Sequence, residues 1–326
     1  MRFALMIEPQ QGLTYDDQLA VALTAERAGF EALFRSDHYA SFPGDADGPA
    51  TDAWTALAGL ARETSTIHLG TLVSPVTFRH PGAFVKVVTT VDEMSGGRVE
   101  LGVGAGWNEA DHLPLGLAFP PIVERADLLE DELALLHGLL TEDDGWSYRG
   151  KQVSVQGARL RPRGVDVAGR PSEHGRSRPW ILTGGDGSPR GLRIAAAWAD
   201  EFNLTGATPE VAARKNAELD EACRAIGRDP ASLVRSTMVG VLLAEDEAGL
   251  RARRDALMRT VAAKDTNPEE WLAVRRARWI AGLPDEARAM AGRYADAGMT
   301  RIMLQDFLPW DLDQIELMGR ELIGRV

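Results

Sequence analysis

The stretch VELGVGAGWNEADH, residues 99–112, decides the fold. Glycines stand at every second position, Gly102, Gly104 and Gly106, directly after an apolar run. That is how the phosphate-binding turn of a dinucleotide-binding fold begins. Such a turn must also open a helix, because its anion rests on the free amides of a helix N-terminus. Here position 107 is Trp, and the next helical pattern starts only near Ile122, after LPLGLAFPP. The glycines therefore end a strand without starting a helix, and the dinucleotide reading is rejected.

Outward from this stretch the chain alternates short apolar runs with amphipathic ones. FALMI (3–7) reads as a strand and is followed by a helix near 15–29 that ends at Gly29. ALFRSD (32–37) is a second strand; a loop with Pro43, Gly44 and Pro49 follows, then the helix TDAWTALAGLARET, capped by Thr51 or Asp52. IHLGTLVSP (67–75), a helix over 81–94, RVELGVG (98–104) and a helix over 122–141 continue the rhythm. After a hairpin, WSYRGKQVSVQGARLRP, and an Arg/Pro-rich insertion at 159–179 come the strand WILTGG (180–185), the helix SPRGLRIAAAWA (188–199) and the strand EFNLT (201–205). Strands near 234–243 and 301–305, with helices around them, complete eight βα units. The expected fold is a single α/β domain over 1–326, a (β/α)8 TIM barrel with insertions after strands 2 and 4.

A barrel of this kind carries its site at the C-terminal ends of the strands. The residues there are Glu8; Asp37 and His38; Thr71, Leu72, Val73 and Ser74; the run from Gly104 through Gly106 and Trp107 to Asn108; Thr183, Gly184, Gly185, Asp186 and Gly187; and 203–206. His38 has an adjacent acid, and an imidazole that titrates near neutrality is suited to moving a proton; the plainer reading is a loop histidine bonded to backbone. TGGDG (183–187) runs from a strand into a helix at Ser188, which supplies the anion-binding geometry that 102–106 lacks. His80 before Pro81 reads equally as a helix-start residue or a ligand contact. His112 with Glu109 offers two ligands, too few for zinc, so no metal is expected. His68 and His137 fall within strand and helix patterns and read as packing residues.

Composition bounds the remaining classes. The 326 residues are 44% hydrophobic and 26% charged, which is ordinary for a globular chain. A net charge of −12 repels a phosphate backbone, so nucleic acid is not an expected partner. The arginines of 159–179 read as part of an irregular insertion, with a grip on an acidic small molecule left open. The one cysteine, Cys223, lies in a helical pattern and can form neither an internal disulfide nor a cysteine metal cluster. The N-terminal apolar stretch is too short for a signal peptide and no run approaches a membrane span, so a soluble cytoplasmic protein is expected.

Five segments, LFRSDHY, GTLVSPVTFRHPG, MSGGRVELGVGAGWNEADH, FPPIVERADLLEDEL and ILTGGDGSPRGLRIAAAWADEFN, run in order through most of the first 205 residues. Together they resemble the luciferase-like monooxygenase family, and more closely its branch that uses the deazaflavin coenzyme F420. The last third is similar only in its βα rhythm. The resemblance implies a tricyclic deazaflavin or isoalloxazine ring in the barrel mouth. It places Asp37 and His38 at the cofactor edge, a bulge with a non-proline cis peptide at Leu72 and Val73 behind the ring, and the cofactor phosphate on Gly184, Gly185 and Gly187. Thr71, Gly106, Trp107, Asn108, Thr183 and Asp186 complete the expected cofactor contacts.

The implied reaction is hydride transfer between F420 and a small organic substrate, with His38 as the catalytic proton carrier; the large apolar face of Trp107 points to an apolar or aromatic one. An FMN-dependent monooxygenase using O2 and a non-catalytic flavin-binding barrel are the alternatives, and a homodimer is expected. One departure is Trp107. The branch's sugar-phosphate dehydrogenases carry a proton-donating carboxylate after the glycine run, and an indole cannot take that role.

Overall fold

The computed structural model describes residues 1–326 except 44, 46, 166–177, 262 and 264–265. Eight parallel strands close into a ring: β1 (Arg2–Ile7), β2 (Ala32–Arg35), β3 (His68–Thr71), β4 (Val99–Gly104), β5 (Trp180–Gly185), β6 (Glu201–Thr205), β7 (Val234–Leu243) and β8 (Arg301–Asp306). Each pairs with the next, and β8 pairs with β1 from Arg2↔Arg301 to Ile7↔Asp306. A two-residue strand, Ser74–Pro75, continues β3 beyond the cis peptide Leu72–Val73 and pairs with the end of β4. Helices α1 (Tyr15–Arg27), α2 (Ala53–Glu63), α3 (Pro81–Ser95), α4 (Ile122–Thr141), α5 (Pro189–Trp198) and α6 (Pro209–Ala225) follow the first six strands. Asp52, rather than Thr51, caps α2, its carboxylate accepting from the Thr55 amide at 2.8 Å. Cys223 is a buried thiol. No helix among the described residues is long and apolar enough to cross a membrane.

The insertions after β2 and β4 occupy 36–52 and 105–121, as expected. A further one lies between β7 and β8. It holds α7 (Glu247–Thr260), α8 (Pro268–Arg276), a strand at Ile280–Gly282 and α9 (Pro284–Asp296), before α10 (Leu312–Leu322) closes the chain beyond β8. The strand pairs with the outer end of β7, Val241↔Ile280, and so lies off the ring. Among the described residues its three positions pair only with β7. Most of the Arg/Pro-rich stretch falls at 166–177, outside the described residues; of its flanks, Arg161 and Arg163 bond Asp144 and Arg178 pairs with Asp200.

The ring is filled in layers. Ala4, Met6, Ala32, Phe34, Leu182 and Met303 form an apolar middle. At the N-terminal end of the strands lies an ionic floor. Arg301 Nη1 and Nη2 reach Glu100 at 2.6 and 3.2 Å, Nη1 reaches Glu201 at 3.1 Å, and Arg301 also pairs with Glu31. Toward the opposite end glycines line the wall, Gly104 and Gly106 at the end of β4 and Gly184, Gly185 and Gly187 at the end of β5, and a Cβ on Gly185 would meet nothing within 4 Å. The mouth is thus left open above a filled barrel.

Replacing Arg301 with Met should destabilise the fold by about 3–5 kcal/mol, because two buried carboxylates would lose their counter-charge. A lowered urea midpoint with an unchanged m-value is the expected reading.

Candidate active site

The mouth encloses a cavity of about 1020 Å3, the size of a site for a drug-sized ligand. Met6, Phe202 and Met238 form part of its apolar lining, and Leu72, Val73, Gly104 and Ala105 form one wall. His38, Leu72, Val73, Gly106, Trp107, Asn108, Thr183, Gly184, Gly185, Asp186 and Gly187 all line it.

Asp37, expected at the cofactor edge, and Thr71, expected among the cofactor contacts, are not among the residues that line the cavity. Consecutive residues in extended chain point to opposite faces, so Asp37 and His38 cannot both enter the cavity. Asp37 faces back into the protein, where Arg79 donates to it at 2.6 and 3.2 Å and the Ser74 hydroxyl at 2.7 Å. Trp54 Nε1 in turn donates to Ser74 at 2.9 Å. The Thr71 hydroxyl donates to the Gly102 carbonyl at 3.0 Å and is fully buried. Arg79 also pairs with Asp52. Burial would raise the Asp52 carboxyl, but the Arg79 charge and the Thr55 amide bring it down to about 2.

The acid that serves His38 is Asp111. Its Oδ2 lies 2.6 Å from His38 Nδ1, and its Oδ1 accepts from the amides of Ala40 at 2.7 Å and Tyr39 at 2.9 Å. Burial would raise the Asp111 carboxyl; the His38 hydrogen bond and charge, with the two amides, outweigh it and hold the carboxyl below its usual range. An ionised carboxylate only accepts, so Nδ1 carries the hydrogen and Nε2 is the nitrogen left for a ligand. Phe42 and Trp107 meet the imidazole edge-on at centroid distances of 4.6 and 5.7 Å. Asp111 is the site residue that sequence reasoning missed, although it lies in the same NEADH run. Only folding brings it to a histidine on another loop.

Of the other histidines among the described residues, three have partners for their side chains. His112 bonds Thr77 Oγ1 at 2.7 Å and the Asn108 carbonyl at 2.8 Å, pinning the 105–121 loop. His80 caps α3 without a side-chain bond, His68 pairs with Glu100, and His137 bonds the Trp198 carbonyl at 2.6 Å. Among the described residues no cluster is placed to hold a metal ion.

At the far end of the cavity, β5 runs through the glycine turn into α5. Ser188 caps the helix, accepting from the Gly191 amide at 3.3 Å, and its own amide donates to Asp186 at 3.0 Å. A Cβ on Gly185 would meet nothing within 4 Å and would extend into the cavity. The Thr183 hydroxyl is buried on this wall without a partner among the described residues. Apolar walls, a glycine cradle at a helix N-terminus and an unpartnered hydroxyl together fit a flat ring that carries a phosphate.

A family profile described as luciferase-like monooxygenase matches residues 1–292. The chain belongs to this family. An F420-dependent glucose-6-phosphate dehydrogenase of Microbacterium testaceum is 27% identical over 329 residues, covering 95% of this chain and 93% of that protein. Another, of Nakamurella multipartita, is 33% identical over 187 residues; that match covers 57% of this chain and half of the relative. In structure the fold is similar to that of an F420-dependent secondary alcohol dehydrogenase in complex with an F420–acetone adduct. The TM-score is 0.80 at 18% identity, over 99% of this chain and 98% of that one.

Asp111→Asn should lower stability at neutral pH by about 1–3 kcal/mol, since three donors lose an anionic acceptor. Because the folded carboxyl is depressed, its contribution is complete above the ordinary aspartate range and is lost as pH falls through the lower folded value. The gap between parent and variant in chemical denaturation should therefore close only at strongly acidic pH.

Proposed function

We propose that this luciferase-like barrel is an oxidoreductase that binds coenzyme F420 in its mouth and exchanges a hydride with an apolar or aromatic substrate. The observation that carries this reading is the His38–Asp111 pair set in an open, largely apolar cavity beside a glycine-lined wall. The F420-dependent relatives support the choice of cofactor. The residues that would hold it are Leu72, Val73 and Gly104 to Gly106 along the ring, Thr183 at a polar edge, and Gly184 to Gly187 with the α5 N-terminus at the phosphate. When bound, the deazaflavin supplies or accepts a hydride at its C5 carbon.

His38 Nε2 gives or takes the accompanying proton at the substrate oxygen. Asp111 holds the imidazole in orientation and stabilises its protonated form, the task of the third member in a catalytic triad. Phe42 and Trp107 pack edge-on against this imidazole. Arg190 is the only lysine or arginine on the cavity wall among the described residues, and it is held by Asp127 at 2.5 Å and Glu130 at 3.0 Å. A sugar phosphate would find no free cation on that wall. The exposed edge of the cavity is apolar: Trp107, Ile122 and Val123 line it and are each more than half exposed. A cluster of this kind marks a binding surface. The second reading, an FMN-dependent monooxygenase, draws on the same walls, which suit either ring, and on the family's description.

Separate absorption titrations with F420 and FMN test the proposal. Saturable binding of F420, and oxygen-independent exchange with a panel of apolar alcohols and ketones, are expected. Retention of FMN alone, with strict dependence on oxygen, would overturn it in favour of the second reading. Gly185→Val should abolish cofactor binding with an unchanged melting temperature, because its side chain enters only open space. In His38→Ala, kcat should fall by about 10²–10⁴-fold while the cofactor Kd stays at the parent value.

A further inference from the structure

The cavity wall holds a second built feature that the proton carrier does not use. Glu8, at the end of β1, lines the cavity and is only 6% exposed. Gln305 Nε2 donates to its Oε1 at 2.5 Å, and Gln10 Nε2 donates to its Oε2 at 2.8 Å. Gln10 is itself oriented by the Ser36 hydroxyl, which donates to its Oε1 at 2.5 Å. All four side chains line the same cavity. They come from the ends of β1, β2 and β8 and the short helical turn after β1, so the strip is braced by the barrel.

A carboxylate in a largely apolar cavity needs compensation. Among the described residues no lysine, arginine or histidine forms an ion pair with Glu8. Arg35, whose charge is nearby, spends its donors on the Ser36 carbonyl, Gln18 and Thr51. Each Glu8 oxygen accepts one amide hydrogen and keeps further lone-pair capacity. The two glutamines fix the carboxylate in place and leave it able to accept from a ligand. A ligand group that only accepts would be repelled there.

We propose that Glu8 anchors a hydrogen-bond donor of the substrate, a hydroxyl or protonated amine, so that the substrate is amphipathic, with one donor group at Glu8 and an apolar body along Phe42, Trp107, Ile122 and Val123. This rests on the reading of the mouth as the substrate cavity and narrows the substrate class. Glu8 is a specificity residue here; the proton remains with His38.

The test measures equilibrium binding by quenching of tryptophan fluorescence, with cyclohexanol, cyclohexylamine and methoxycyclohexane as probes, on parent, Glu8→Gln and Glu8→Asp proteins of verified melting temperature. F420 is titrated in parallel. The parent should bind the two donor probes about tenfold or more tightly than the ether, the scale of a hydrogen bond to a charged group. Glu8→Gln should bring the three within about twofold, Glu8→Asp should give an intermediate preference, and F420 affinity should stay unchanged in both. A donor preference that persists in Glu8→Gln overturns the proposal, as does a loss confined to F420 affinity, which would assign Glu8 to the cofactor. If the parent fails to bind F420 yet shows a Glu8-dependent donor preference, the cofactor reading falls and the subsite stands.

Discussion

A closed ring of eight strands has an inside that must be filled, and at the bottom of this one the filling is ionic. Arg301 starts β8, Glu100 lies near the start of β4 and Glu201 starts β6, so one guanidinium ties strands from across the ring. Burial alone would lower the Arg301 guanidinium; the facing carboxylates of Glu100, Glu201 and Glu31 reverse this and hold it as a permanent cation. Its plane also lies over the Phe34 ring, 5.1 Å from the centroid, at the boundary with the apolar layer. Such a cluster adds little net stability over a well-packed apolar floor, but it is severe on any variant that removes one partner. It closes one end of the barrel, and the glycines at the other end leave a cavity there.

A second network shapes that cavity. Asp37, Arg79, Asp52, Ser74 and Trp54 form a connected brace behind the wall, joining the end of β2 to α2 and to the segment after β3. Because Asp37 is engaged there, His38 is free to turn the other way, into the mouth. Its partner is then supplied by the 105–121 loop, which Asp111 and His112 hold against the barrel. The residue that fixes the imidazole therefore also docks the loop carrying Trp107. The position of the proton carrier and the shape of the aromatic rim are coupled through one carboxylate.

The chain's alternation of apolar and amphipathic runs was enough to establish the barrel, its strand ends and the glycine turn before α5. These are local properties: strand and helix periods, caps and glycine positions are set by neighbours a few residues apart. Periodicity also placed His38, Leu72, Val73, Gly106 to Asn108 and Thr183 to Gly187 at the mouth, because every strand of such a barrel points the same way. It gives no sign of the three-residue strand at 280–282, which is defined by its pairing with the outer end of β7. Nor does it say which of two adjacent residues faces the cavity when the strand ends in a turn, so Asp37 and His38 stand together in sequence although only His38 lines the mouth. The pairings of His38 with Asp111 and of Glu8 with Gln305, and the ionic floor at Arg301, belong to tertiary structure alone. Each joins residues far apart in the chain, and the closure of the ring, which no local pattern encodes, brings them within hydrogen-bond distance.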